Sequence, residues 1–247
     1  KWLVYTMVAA LTVTGALAAP VVFWASDPVG PDETVLLLGD GFAAGAIVDA
    51  ARLDDAPAQI PPASRLAVSK WTPIKPLQAS RQCVKAVVPA AWKAGVYAVR
   101  ARQGAEVSEP WLVNAPQPWW LQGDEGQRAT PGGWLRVFGK CLGMAPGAQL
   151  VLQGADGRAL ALKISENTCW TIGGPVPATV KPGDYEAFVH NGRGGRPAWQ
   201  SAGKITVAPP VAWKTDLFPV KLEGEKPNVE QALREALVQA QQNGGGI

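Results

Sequence analysis

The strongest constraint on the fold of this chain is an internal repeat. Residues 31–42 (PDETVLLLGDGF) align with residues 131–142 (PGGWLRVFGKCL), and each segment has a proline-led turn, a short strand and a bending glycine. Further along, residues 88–99 (VPAAWKAGVYAV) match residues 176–187 (VPATVKPGDYEA), each with a Val-Pro pair, a Lys-x-Gly turn and a strand carrying one tyrosine. Landmarks that recur in the same order indicate two copies of one unit of about 95 residues.

The composition favours β-sheets joined by turns and excludes several other classes of protein. The 247 residues include 27 Gly, 22 Pro and 11 Trp, and 47% of them are apolar. That apolar content excludes a disordered polymer, and the lack of a G-X-Y period excludes collagen. The formal net charge of +3 is too small to predict a nucleic-acid partner or a polybasic membrane contact.

The repeated landmarks resemble those of immunoglobulin-like domains of the IPT/TIG family. In those domains a P-G-x-x-V-x-L-x-G-x-G-F strand opens the fold and a Val-Pro followed by G-x-Y stands late in it, as in residues 31–42 and 88–97 here. The resemblance covers residues 20–210 and implies an all-β chain of two tandem Ig-like β-sandwiches. We expect the sandwiches at 19–116 and 117–210.

The second copy departs from the family pattern at two positions. Cys141 replaces the bending glycine of the first copy, and Leu142 replaces its phenylalanine. The late tyrosines, Tyr97 and Tyr185, are expected to pack in their sandwiches and to hydrogen-bond a nearby loop through their hydroxyl groups.

Residues 1–18 are predicted to form a secretory signal helix and not part of the fold. An uncharged apolar run follows Lys1 and is too short for a comfortable membrane span of ~20 residues. Small residues precede Ala18, where signal peptidase is expected to cleave, and no cysteine follows for lipid attachment. An uncleaved anchor is the alternative. We therefore expect a secreted or periplasmic protein with no membrane contact after cleavage.

The three cysteines predict at most one disulfide in an oxidising compartment. Cys141 and Cys169 fall in the same predicted sandwich, which favours this pair and leaves Cys83 buried or free. A catalytic cysteine is the alternative, but it needs a base, and His190 is the only imidazole in the chain.

The tryptophans are the best candidates for a ligand site, because flat aromatic faces with polar edges can hold sugar rings. Trp119 and Trp120 follow a proline-rich junction, and Trp213 stands at the corresponding place after the second unit. These three are expected to pack between domains, with a carbohydrate platform as the alternative. Trp199, near the glycine-rich turn at 191–196, is the candidate that we expect to be most exposed. Three other tryptophans are expected in the core: Trp92, Trp111 and Trp134.

The two units carry no motif for catalysis or for a resident metal. The spacings G-x-S-x-G, H-E-x-x-H and C-x-x-C are absent. The acidic pairs at 54–55 and 124–125 lie in loops, and because neighbouring side chains point apart they fit solvated turns better than an acid–base pair. A weak calcium site is the alternative. We predict no cofactor and no metal ligands.

The C-terminal segment differs from the rest, because residues 228–243 predict an amphipathic helix. Asn228 is a suitable N-cap with Gln231 at the third helical position, and Gly244 can end the helix. Apolar residues recur at helical spacing and share one face: Val229, Ala232, Leu233, Ala236, Leu237 and Ala240.

This segment resembles the entry to right-handed parallel β-helix proteins of the pectate-lyase superfamily, in particular the rhamnogalacturonase/epimerase-like group. In that group a helix of the form A-[IL]-x-x-A-[LI]-x-x-A leads into N-G-G-G-[VI], and here residues 228–240 (NVEQALREALVQA) precede 243–247 (NGGGI). The Lys-Pro pair at 226–227 departs from the family's lead-in. The resemblance implies that 211–247 is a linker and the N-terminal cap of a truncated β-helix domain. The family's catalytic residues lie on later rungs, so none is expected in 1–247.

Two functions follow from these expectations. The first is a non-catalytic accessory region of a secreted polysaccharide lyase or glycoside hydrolase, which spaces the catalytic domain or positions its glycan. A polysaccharide would be the partner. The alternative is a non-catalytic surface or adhesion protein built from Ig-like repeats, with its terminal helix packed on the second sandwich.

Overall fold

The computed structural model describes residues 19–55, 66, 68–211, 220 and 228–243, which form eighteen β-strands and one α-helix. The elements are β1 (Val21–Ala25), β2 (Thr34–Asp40), β3 (Ile47–Arg52), β4 (Thr72–Ile74), β5 (Gln78–Ala79), β6 (Cys83–Val87), β7 (Tyr97–Gln103), β8 (Glu106–Val107), β9 (Trp111–Val113), β10 (Gln117–Gly123), β11 (Arg128–Ala129), β12 (Trp134–Lys140), β13 (Gln149–Gly154), β14 (Ala159–Ala161), β15 (Glu166–Asn167), β16 (Thr171–Pro175), β17 (Gly183–His190), β18 (Trp199–Val207) and α1 (Val229–Gln242). The predicted signal peptide at 1–18, the candidate Trp213 and the last four residues, 244–247, lie outside the described residues.

The first nine strands form a sandwich of two antiparallel sheets. One sheet has the order β1-β2-β6-β5, and the other has the order β4-β3-β7-β8, with β9 also paired to β7. Buried and more exposed side chains alternate along β2, because successive side chains of a strand point to opposite faces. One face of the sheet therefore packs in the core and the other faces outward. Val35 and Leu37 of β2 are at most 1% exposed and lie in the core, whereas Leu36 and Leu38 are only half-buried.

The next nine strands repeat this arrangement. Their sheets have the orders β10-β12-β16-β15 and β11-β18-β17-β13-β14, so β12, β13, β16 and β17 take the places of β2, β3, β6 and β7. Each copy encloses its own apolar core. The part of the chain from β1 to β18 is therefore all-β and consists of two tandem Ig-like β-sandwiches, as the repeat predicts. The IPT/TIG assignment and the boundaries 19–116 and 117–210 stay predictions.

The two late tyrosines hold equivalent places in the two copies. The Tyr97 hydroxyl donates a hydrogen bond to the Lys93 carbonyl at 3.1 Å. The Tyr185 hydroxyl donates in the same way to the Lys181 carbonyl at 2.8 Å. Both contacts span four residues and close the Lys-x-Gly turn, so the predicted tyrosine–loop hydrogen bonds are confirmed.

A buried polar network joins the two sandwiches. The Asn114 side chain accepts a hydrogen bond from the Val29 N–H at 2.8 Å and donates to the carbonyls of Val29 and Gly95 at 2.7 and 2.8 Å. Asn191 of the second sandwich donates to the Asn114 carbonyl at 2.7 Å, and both asparagines are fully buried. Buried amides with several partners are costly to separate, so this network fixes the junction.

An ion pair adds a second contact across the junction. Lys140 at the end of β12 pairs with Asp27 of the first sandwich, whose side chain is fully buried. The Asp27 carboxylate also accepts hydrogen bonds from the Asn114 N–H at 3.2 Å and the Gln117 side chain at 3.0 Å. The carboxylate therefore couples the strand that ends the first sandwich to the strand that begins the second.

The helix α1 belongs to a separate compact unit that begins at Pro209. The Asn228 side chain accepts a hydrogen bond from the Gln231 N–H at 3.1 Å, which confirms the predicted N-cap. Leu233 and Leu237 on the apolar face are 48% and 60% exposed. In the part of the chain that the structure describes, no helix combines the length and apolarity needed to cross a bilayer.

Candidate functional site

Strand β12 builds the centre of the candidate site because its two faces differ. Leu135 and Val137 point into the core and are at most 1% exposed. Trp134, Arg136 and Phe138 alternate with them and therefore lie on the outer face of the sheet. We call this outer surface of the β10-β12-β16-β15 sheet the aromatic face.

Strand β10 adds two tryptophans to the aromatic face through a β-bulge. The register between β10 and β12 shifts between Pro118 and Trp120, so Trp119 has no partner residue on β12. Trp120 stands opposite Phe138, and their rings stack with centroids 5.2 Å apart. The bulge leaves Trp119 and Trp120 exposed to 67% and 55%.

Trp170 completes the group from the loop before β16. Its carbonyl accepts a hydrogen bond from the Gly139 N–H at 3.0 Å, and its ring lies 6.4 Å from that of Trp119. The ring is 55% exposed. Sequence reasoning missed Trp170, although the repeat offered a signal: the equivalent residue of the first copy is Gln82, whose carbonyl bonds Gly39 in the same way. An aromatic residue that one copy has and the other lacks is a candidate for a specific role.

Charged and polar groups lie between these rings. The Arg136 guanidinium carbon is 5.4 Å from the ring centroid of Trp134 and 5.8 Å from that of Phe138, within the range of a cation–π contact. Arg136 forms an ion pair with Glu166 at 2.7 Å. The Thr171 hydroxyl donates to the same carboxylate at 2.7 Å. The face thus offers apolar ring surfaces next to hydrogen-bond donors and acceptors.

The tryptophans differ from several sequence expectations. Trp119 and Trp120 were expected to pack between domains, but both are among the exposed side chains of the sheet surface. The sequence predicts Trp134 in the core. Instead, Trp134 is the first residue of β12, its side chain points to the outer face of the sheet, and it is 39% exposed. Trp92 and Trp111 are partly buried against the first core, as expected.

Trp199 is buried, so the expectation that it is the most exposed candidate was wrong. It begins β18 directly opposite His190, and the two rings lie 5.0 Å apart. Only 7% of its surface is exposed. A ring enclosed in this way cannot stack on a sugar. The fourth candidate, Trp213, lies outside the described residues.

His190 is held as a neutral structural residue. Its Nδ1 accepts a hydrogen bond from the Gly192 N–H at 3.0 Å, and its Nε2 lies 2.8 Å from the Gly195 carbonyl, to which it donates. Burial lowers the pKa of the imidazole, although the Gly195 contact and the charge of Asp55 oppose that shift. Because both ring nitrogens are engaged by the backbone of the turn, the ring cannot serve as the base that a catalytic cysteine needs.

Cys83, Cys141 and Cys169 are free thiols, so the disulfide between Cys141 and Cys169 is not formed in this structure. Burial raises the pKa of the Cys141 thiol, and the neighbouring Asp27 carboxylate and Cys169 thiol raise it further. Cys141 has a φ of 55°, in the left-handed region, at the place where the first copy has Gly41 with a φ of 76°.

One member of each acidic pair, Asp124 and Asp55, is held by donors of the protein itself. Burial raises the pKa of Asp124, but hydrogen bonds from the N–H and hydroxyl of Thr130 outweigh it and hold that pKa below its usual value. Asp55 pairs with Arg52 and accepts from the Gly194 N–H at 3.1 Å. Within the described residues, no group of three or more His, Cys, Asp or Glu side chains could hold a metal ion.

Comparisons with known proteins show only distant likeness. No protein-family model matches the chain, and no curated protein sequence matches it. Among solved structures, SGBP-B of the Bacteroides ovatus mixed-linkage glucan utilization locus, in complex with a mixed-linkage heptasaccharide, is 15% identical. This chain aligns over 77% of its own length and 46% of that protein, with a TM-score of 0.32. The surface glycan-binding protein PbSGBP-B from Prevotella bryantii is 13% identical over 76% of this chain and 41% of that one, with a TM-score of 0.27.

The alignments cover 46% and 41% of these two glycan-binding proteins, so this chain spans less than half of their length. A three-Ig structure of titin is 13% identical over 76% of this chain and 62% of that one, with a TM-score of 0.24. Likeness at this level is too weak to transfer a ligand. The resemblance of residues 228–247 to the parallel β-helix family stays a prediction.

Proposed function

We propose that this chain is a non-catalytic glycan-binding region of an extracytoplasmic protein and that the aromatic face is its binding surface. The observation that carries the proposal is the exposure of three neighbouring rings: Trp119, Trp120 and Trp170 keep 67%, 55% and 55% of their surface accessible. Water-exposed tryptophan rings are costly unless they have a ligand to cover them. A sugar ring can stack on such a face while its hydroxyls bond the polar side chains around it.

The polar groups between the rings suit a glycan. Protein-docking surfaces also contain Trp and Arg, but they are depleted of Glu, which this surface has in Glu166. Here Arg136 lies between the rings of Trp134 and Phe138, and its partner Glu166 is part of the same surface. Sugars need both kinds of group at short spacing, because every ring of a polysaccharide has apolar C–H faces and a rim of hydroxyls.

The wider context that we propose is an accessory region of a secreted enzyme that acts on polysaccharides. Two features support it: the resemblance of residues 228–247 to the cap of a parallel β-helix, and the polar junction that would keep two sandwiches at a set distance as a spacer. Reading the gene beyond residue 247 tests this part. Short strands in rungs of about 20–25 residues support the enzyme, whereas a third sandwich supports the alternative, an adhesion protein of Ig-like repeats.

Affinity electrophoresis tests the binding function. The protein is run through gels that contain different polysaccharides, and affinity for any glycan that retards it is then measured by titration calorimetry. We expect a Trp119→Ala/Trp120→Ala double variant to bind at least about ten-fold more weakly, because central aromatic residues dominate binding energy.

The matched control is Trp71→Ala. Trp71 precedes β4 on the other sheet of the first sandwich, where Arg100 lies 4.3 Å above its ring. This variant should bind as the parent does, and thermal unfolding checks that both variants are folded. Retardation by no polysaccharide, or equal affinity of the double variant and the parent, would refute glycan binding by this face.

A further inference from the structure

We infer that the ligand of the aromatic face is an extended, uncharged polysaccharide chain, an inference that rests on the glycan-binding function proposed above. Two observations carry it. The aromatic surface continues from the second sandwich onto the first, and the cations that contact its rings are already neutralised by carboxylates of the protein.

The continuation runs along β12. Trp134, Arg136, Phe138 and Lys140 share the outer side of this strand, and the six steps between the first and last cover about 20 Å. At the far end, the Lys140 ammonium nitrogen lies 6.0 Å from the ring centroid of Trp24, which belongs to β1 of the first sandwich. The outer side of β12 therefore reaches, through Lys140, an aromatic ring of the first sandwich.

The first sandwich presents an aromatic pair at the same place in its fold. The register between β1 and β2 shifts between Val22 and Trp24, which leaves Phe23 at a bulge like that of β10. Phe23 and Trp24 are 59% and 41% exposed. Duplication has thus placed one exposed aromatic pair on each sandwich, and a long ligand can contact both.

The charge of this surface is balanced internally. The Arg136 guanidinium is paired with Glu166 at 2.7 Å, and Lys140 is paired with Asp27. An acidic sugar would have to take one of these cations from its partner. Removing Lys140 would leave the fully buried Asp27 carboxylate without its counter-ion, and an unpaired buried charge is strongly destabilising. The arrangement therefore gives a uronate-rich chain no free cation among these ring contacts.

The test compares uncharged polysaccharides with negatively charged ones. Affinity electrophoresis uses a neutral panel (a cellulose ether, xyloglucan and galactomannan) and an acidic panel (polygalacturonate and alginate). We expect a neutral polymer to retard the protein and both acidic polymers to leave it unretarded. The affinity for the neutral polymer should change by less than about two-fold between roughly 20 mM and 500 mM NaCl, because salt screens only charge interactions.

Two variants test the charge preference and the length of the ligand separately. Glu166→Gln removes the partner of Arg136 and keeps an acceptor for Thr171, so we expect it to gain retardation by polygalacturonate at low salt. Trp24→Ala should weaken binding of a neutral polymer several-fold and leave binding of a disaccharide of the same sugar unchanged, because only a long ligand reaches the first sandwich.

The outcomes separate this inference from the function on which it rests. Salt-sensitive binding of an acidic polymer by the parent, abolished in Trp119→Ala/Trp120→Ala, would leave glycan binding intact and overturn the inference of an uncharged ligand. Equal effects of Trp24→Ala on polymer and disaccharide would overturn the extended ligand. If no polymer of either charge binds, the proposed function itself fails.

Discussion

His190 illustrates how a single residue can look chemical in sequence and be structural in the fold. It is the one histidine of the chain, and the sequence alone makes it the candidate base for a cysteine nucleophile. In the fold it ends β17, packs against the Trp199 ring at a tilt of 50° and closes the turn that carries Gly192 and Gly195. Its neutral form matches both of these backbone partners, because one ring nitrogen accepts and the other donates.

The buried imidazole predicts that stability falls on mild acidification. Burial lowers the folded-state pKa of His190 below the unfolded value of about 6.5, so the unfolded state binds more protons. The contribution of neutral His190 is therefore complete above about pH 6.5 and is lost as the pH falls through the folded pKa. Urea unfolding between about pH 7.5 and pH 5 should show a decreasing free energy of unfolding.

His190→Gln is the control for this pH effect, because glutamine can donate and accept but does not titrate in this range. We expect this variant to be less stable at neutral pH by about 1–2 kcal/mol and to have a flatter pH profile. A profile as steep as that of the parent would assign the effect to other groups.

At the scale of elements, β12 shows how one strand serves both the core and the surface. Its inward residues complete the second core, while its outward residues carry the aromatic face. The end of β12 also bends through Cys141 toward the loop before β16, where the Leu142 N–H donates to the Cys169 carbonyl at 3.0 Å. This contact brings the two predicted disulfide partners together, although the bond itself stays a prediction.

We predict that a disulfide donor such as oxidised glutathione links Cys141 to Cys169. The Cys169 thiolate attacks the donor and forms a mixed disulfide, and the Cys141 thiolate then displaces the donor's second thiol; two thiols are oxidised and one disulfide is reduced. The product should be lighter by about 2 Da, the mass of two hydrogens, and a cross-linked peptide should contain both residues.

The disulfide closes a loop between Cys141 and Cys169, so it should raise the free energy of unfolding, measured in urea, by about 3 kcal/mol. The Cys83→Ser variant should behave as the parent does, whereas Cys169→Ser should neither lose mass nor gain stability. Cross-links that involve Cys83 instead would contradict the predicted pair.

At the scale of the whole molecule, the junction decides what the two sandwiches can do together. Asn114, with a φ of 65°, and Asn191 are fully buried and link loops of both copies. Gly194 of the second sandwich packs so closely on Val96 of the first that an added Cβ would lie 2.5 Å from the valine Cβ. Such close packing fixes how the two sandwiches meet.

Removing the central asparagine should loosen this junction. Asn114→Ala leaves the Val29 N–H and two carbonyls without their buried partner, so we expect a loss of about 2–3 kcal/mol in the free energy of unfolding. Urea unfolding measures the loss, and limited proteolysis should show faster cleavage near residues 114–117.

The matched control for this change is Asn167→Ala. Asn167 is exposed and donates to the Ala145 carbonyl at 3.1 Å within the second sandwich, so its loss should cost less than about 1 kcal/mol. Equal losses for the two variants would mean that the junction adds no special stability.

The sequence by itself determined the elements and their repetition. Alternating apolar residues and turn-forming glycines depend on local geometry, so the two sandwiches, the tyrosine contacts and the Asn228 cap could all be predicted from spacing. The exposure of individual tryptophans could not. Trp134 and Trp199 stand in similar local patterns, yet one is at the surface and the other is enclosed.

The tertiary structure decided which rings meet. Trp119, Trp120 and Trp170 come from two segments some fifty residues apart, and a bulge and a strand register bring them together. The pairing of Arg136 with Glu166, and of Lys140 with Asp27, depends on the same strand pairing and on the junction. Because a one-residue change of register moves every side chain to the opposite face, the charge and shape of the candidate site exist only in the folded molecule.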